Sequence, residues 1–248
     1  MKIRNKKPGQ KFLTAAMLGV LGLSTLGFAA PAQAETVSTV SNQPTGEQIK
    51  ELRDIMSRFS TPVSQQDALI QKAIDGIPWD VYDENNDPVT VEQDQVIDGF
   101  NYTIERYADG SVAAHGFEIP EQVPASNGQA VQPLALGNCT TAVGSGWRSA
   151  TGCQVDGWWG SVRAGAANMG YVLVNGAYDY ISNPGYGFQS CSWPTSCSTP
   201  TLVENYPYED GLGPGYVKWQ ADVSAPNGSW NVWVKLHVGG DSAWDSTS

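Results

Sequence analysis

Between Gln48 and Phe59 the apolar residues Ile49, Leu52, Ile55, Met56 and Phe59 return at steps of three and four, the repeat of a helix with one buried face. Thr45-Gly46-Glu47-Gln48 stands ahead of them with the Thr-x-x-Gln spacing of a capping box. A second helix is predicted to open at Ser64 with Asp67, to bury Ala68, Leu69, Ala73 and Ile74, and to stop at Gly76 and Pro78. After the turn-rich stretch 83–88 the period falls to two. Segments 100–107 and 111–117 flank Asp109-Gly110, a strong hairpin signal.

The second half reads as β throughout. Val217, Trp219, Ala221 and Val223 alternate with Tyr216, Lys218, Gln220 and Asp222. Trp230, Val232, Val234, Leu236 and Val238 likewise alternate with Asn231, Trp233, Lys235 and His237, and Pro226-Asn227-Gly228 supplies a hairpin turn between the two runs. Segments 161–167, 170–174 and 177–181 predict further strands. The expected fold is an α+β N-terminal unit, two helices plus a β-hairpin, followed by an all-β disulfide-containing sandwich.

Composition divides the chain near residue 136, inside a Pro-, Gly- and Ser-rich stretch without periodicity. Residues 35–136 hold 17 acidic and five basic side chains and one Trp, whereas 137–248 hold eight acidic, four basic, eight Trp and all four Cys. The expected organisation is a signal peptide over 1–34, a small acidic unit over 35–117, a linker over 118–138 and a Trp- and Gly-rich β-sandwich over 139–248. The first 34 residues carry five basic side chains, an apolar run from Phe12 to Ala30 and then Ala32-Gln33-Ala34, which predicts export with cleavage before Glu35. A retained membrane helix is the alternative, but Gly19, Gly22 and Gly27 interrupt the run and Pro31 ends it. Cleavage would leave 25 acidic side chains against nine basic ones, a charge of −16. That field repels a phosphate backbone, so neither nucleic acid nor, after cleavage, a membrane is expected as a partner, although a local patch can override it.

Four cysteines in an exported chain predict two disulfides among Cys139, Cys153, Cys191 and Cys197, and proximity in sequence favours Cys139 with Cys153 and Cys191 with Cys197. Their spacing does not match a zinc knuckle. The stretch from Asp83 to Asp94 resembles a calcium loop, but Pro88 stands where such a loop needs Gly, which favours an acidic turn. His237 with Ser161 and Asp222 could form a triad, and Glu204, Glu209, Asp210 and Asp222 could supply a carboxylate pair, but no Gly-x-Ser-x-Gly elbow occurs. No cofactor is expected.

The aromatic content carries the leading functional reading. Eight Trp in one half exceed what a single sandwich core takes up, and Trp233, with Trp158 or Trp159, falls opposite its apolar neighbours. Trp233, Trp158, Trp159, Lys235 and His237 are therefore the candidate binding residues. Arg106-Tyr107-Ala108-Asp109-Gly110-Ser111, Gly137-Asn138-Cys139, Gly152-Cys153-Gln154-Val155 and Gly176-Ala177-Tyr178-Asp179-Tyr180-Ile181 together resemble uncharacterised secreted proteins of high-GC Gram-positive (actinobacterial) bacteria. The resemblance implies a fold and a source among such bacteria, and no catalytic residue. The expected function is non-enzymatic: a secreted protein binding an extracellular carbohydrate or protein through exposed aromatics. The alternative is a proprotein whose N-terminal unit masks a C-terminal enzyme or antibacterial domain.

Overall fold

The structure is a computed structural model in which residues 43–122, 139–225 and 228–248 are described. The expected signal peptide, its cleavage point, most of the linker and the Pro226-Asn227 turn lie outside them. Helix α1 (Gly46–Arg58) begins at a full capping box, with the Thr45 hydroxyl accepting from the Gln48 N–H and the Gln48 side chain accepting from the Thr45 N–H. Helix α2 (Val63–Ile74) starts one residue before the predicted Ser64, behind Pro62 and without a side-chain cap, and Asp67 pairs with Arg53 of α1 instead. One turn of 3-10 helix, Asp80–Tyr82, follows.

The rest is mostly antiparallel β structure in two sheets. The larger contains β1 (Thr90–Ile97), β2 (Phe100–Arg106), β3 (Val112–Glu118), β4 (Glu121–Gln122), β5 (Thr140–Gly144), β6 (Trp147–Trp159), β7 (Val162–Val174), β8 (Tyr180–Asn183) and β9 (Tyr186–Cys191). The smaller contains β10 (Ser196–Cys197), β11 (Thr201–Tyr206), β12 (Gly215–Ala225), β13 (Gly228–Gly239) and β14 (Ser242–Thr247). The hairpin expected at Asp109-Gly110 joins β2 to β3, with Gly110 at φ +89°, a conformation that favours glycine. Its turn is tied to the helical segment: the Asp109 carboxylate accepts from Lys72 Nζ at 2.7 Å and from the Asp80 N–H at 2.9 Å.

The expectation of two units separated near residue 136 needs correction. Strand β3 pairs with β6 from Ala113 opposite Trp159 to Phe117 opposite Val155, so the hairpin continues a sheet built mostly from the second half. The described residues form one compact unit. The helices close one face of this sheet, where Phe59 meets Tyr102 and Trp158 edge to face. The other face shares a core with the smaller sheet, in which Val155, Val162 and Ala164 pack with Val217, Val223, Val232, Val234 and Leu236. Cys139–Cys153 and Cys191–Cys197 are bonded, the pairing that proximity favours. No helix among the described residues is long and apolar enough to cross a membrane.

Candidate binding face

The alternation in β12 and β13 puts valines against the shared core and leaves polar and aromatic side chains on the opposite, outer face. Register then decides which of them meet. Tyr206 of β11 lies opposite Tyr216 of β12, Tyr216 opposite His237 of β13, and His237 opposite Trp244 of β14. The four rings form a row across four strands, with centroid separations of 5.1, 5.8 and 5.2 Å. At about 4.8 Å between strands, the row is about 14 Å long. Its end rings, Tyr206 at 61% and Trp244 at 41%, are exposed, while Tyr216 and His237 between them are half-buried.

A charged row runs beside the first. Glu204, Lys218, Lys235 and Ser246 occupy successive strands, and both lysine ammonium groups reach the Glu204 carboxylate at 3.3 Å. Glu204 faces outward because the register slips between Leu202 and Glu204. The bulge at Val203 lets Leu202 turn to the core beside Trp219 while Glu204, two residues on, points the other way. Partial burial works against its ionisation, but the two lysines outweigh it and hold the carboxyl below the usual range. Lys218 Nζ also lies 4.7 Å from the Trp233 ring centroid and Lys235 Nζ 4.1 Å from that of Tyr216.

His237 is stacked on Trp244 at an interplanar angle of 2°, and its Nε2 is 2.8 Å from the Ser246 hydroxyl. Among the described residues its buried Nδ1 has no hydrogen-bond partner. Burial, then Lys235, hold the imidazole below its usual pKa. A serine beside a histidine is the start of a nucleophile pair, but among the described residues no acid is hydrogen-bonded to Nδ1 to orient it. The sequence-level triad is not assembled either: Ser161 is buried against Tyr82 and Thr195, whereas Asp222 is exposed opposite Asn231.

Three of the five candidate binding residues, Trp233, Lys235 and His237, thus share this face, with Trp233 half-buried. Trp158 and Trp159 do not. Both are buried, at 8% and 5% exposure, because the larger sheet is covered on both sides there: Trp158 packs under Phe59 and Trp159 joins the core shared with the smaller sheet. Trp158 also lies beneath the Arg163 guanidinium, 4.9 Å from its centroid. Tyr206, Tyr216, Lys218 and Trp244 were missing from the sequence-level set. Tyr216 and Lys218 could have been found from their alternation, whereas Tyr206 and Trp244 lie in strands without a periodic signal.

Elsewhere the remaining acidic candidates have structural partners. Glu209 accepts from the Asp179 and Gly240 N–H groups, and the Asp210 carboxylate accepts from those of Leu212 and Gly213. The Asp83 carboxylate folds back onto Asn85, whose N–H and side-chain amide hold it below the usual range. Among the described residues, no three His, Cys, Asp or Glu side chains are grouped to hold a metal ion. Two shallow hollows beside Trp79 are lined by no acid, histidine or cysteine. No protein-family model, curated protein or solved structure matches the chain.

Proposed function

We propose that the outer face of the five-stranded sheet binds an extracellular sugar polymer by ring stacking, in a secreted, non-enzymatic protein. The carrying observation is the four-ring row with exposed rings at both ends. Rings that only filled a core would be covered there, whereas Trp244 stands on the edge strand β14 and Tyr206 on β11, each with open surface. A row about 14 Å long is wide enough for several sugar units crossing the strands. In this reading the two sheets form a sandwich whose interior is wholly structural. Disulfides on Cys139, Cys153, Cys191 and Cys197 fit an oxidising place of action.

The proprotein alternative gains no such support. Removing residues 35 to about 136 would strip β3 from β6, take Phe59 off Trp158 and break the hydrogen bond between Glu51 and Ser192. Sedimentation with insoluble polysaccharides tests the proposal. Tyr206→Ala with Trp244→Ala is expected to lower retention by about tenfold or more, taking about 1 kcal/mol for each lost stacking contact. Trp233→Ala is expected to lower it less, because the ring is half-buried beneath Lys218. Retention unchanged in the double variant would refute ring stacking.

A further inference from the structure

We infer that the polymer is acidic, its sugar rings lying along the aromatic row and its carboxylate, sulfate or phosphate groups on Lys218 and Lys235; this rests on the sugar-binding reading. The motive is a placement that folding alone disfavours. Lys218 and Lys235 are directly opposite one another on neighbouring strands, where like charges repel. The half of the chain from residue 137 to 248 has only four basic side chains, and two of them are spent on this pair.

One carboxylate, Glu204, serves both ammonium groups, so the row keeps a surplus of one positive charge in a protein whose net charge is −11. The side chains are 18% and 17% exposed, held against the Trp233 and Tyr216 rings with little freedom left to lose. A neutral polymer would leave the surplus charge unmatched. An acidic one would complete it, since a second anion beside Glu204 gives each lysine its own partner. Lysine is a point charge and does not distinguish a flat carboxylate from a tetrahedral sulfate, so both kinds of acidic polymer are in scope.

The test is affinity electrophoresis of the full chain in gels containing polygalacturonate or its methyl ester, and dextran sulfate or dextran. At least one acidic polymer is expected to retard the protein about tenfold more strongly than its neutral counterpart, and the favoured pair tells carboxylate from sulfate. Lys218→Gln and Lys235→Gln should each cut that retardation about fivefold. Glu204→Gln should strengthen it by freeing both lysines, a gain that misfolding cannot imitate, and Lys235→Arg should preserve it. Equal retardation by acidic and neutral partners, untouched by the lysine variants, overturns the inference and leaves the sugar reading standing. Retardation by none of the four overturns both.

Discussion

Asp156 is fully buried, yet its carboxylate accepts from the Tyr102 hydroxyl at 2.7 Å, from Trp158 Nε1 at 2.9 Å and from Arg163 Nε at 3.0 Å. Burial, reinforced by this neighbouring carboxylate, pushes the Tyr102 hydroxyl well above its ordinary pKa and keeps it a donor. Asp156→Ala would leave the Arg163 guanidinium without its anion and is expected to cost about 3 kcal/mol, measurable by urea unfolding. The two histidines respond to pH with opposite signs. His115 Nδ1 lies 2.6 Å from the Asp245 carboxylate, and although burial opposes protonation, Asp245 outweighs it and raises the pKa. Its contribution to stability is therefore full below the unfolded value of about 6.5 and is lost as pH rises through the raised value. His237, lowered by burial and Lys235, behaves in reverse: its contribution is present above about 6.5 and is lost on acidification. Thermal midpoints of His115→Gln and wild type should thus differ more at pH 5.5 than at pH 8.5, and a gap independent of pH would contradict the assignment. The partnership of His115 with Asp245 was not legible beforehand, because the two are 130 positions apart and only the packing of the two sheets brings them together.

At the level of elements, those with a strong local period were legible: α1 with its capping box, the hairpin of β2 and β3, and the alternating pair β12 and β13. Strand β6 was missed because it is covered on both faces around Trp158 and Trp159, so neighbouring residues are buried together and the alternation disappears. The predicted segments 161–167 and 170–174 are one strand, β7, with Asn168 at φ +57° between them. Strand β14, Ser-Ala-Trp-Asp-Ser-Thr, offers no apolar period at all and is recognisable only by its pairing with β13. The outer face of the smaller sheet followed the same rule. Its residues on β12 and β13 were visible as the polar side of an alternation, but the row needs the register of β11 and β14 as well. Register also makes a prediction about the bulge. Deleting Val203 would force either Leu202 out of the core or Glu204 and Tyr206 off the outer face. Exposing Leu202 should cost about 1.5 kcal/mol. The deletion is expected to lower the thermal midpoint or to abolish polymer retention, and a variant unchanged in both would show that the bulge positions nothing.

For the molecule as a whole, composition misled where topology decided. The contrast between an acidic, Trp-poor half and a Trp-rich half is real, and it does not mark a break, because charge is a property of the solvated surface and hydrogen bonding is not. Both disulfides close loops after residue 138, of 14 and six positions, and neither reaches back to the helices or to β1, β2 and β3. A single protease cut between residues 123 and 138 would therefore yield two chains with no covalent tie between them. They should nonetheless co-elute in native size-exclusion chromatography, clasped by the seam of β3 on β6, and part company on a non-reducing denaturing gel. A protein built this way can be severed in its environment and remain assembled.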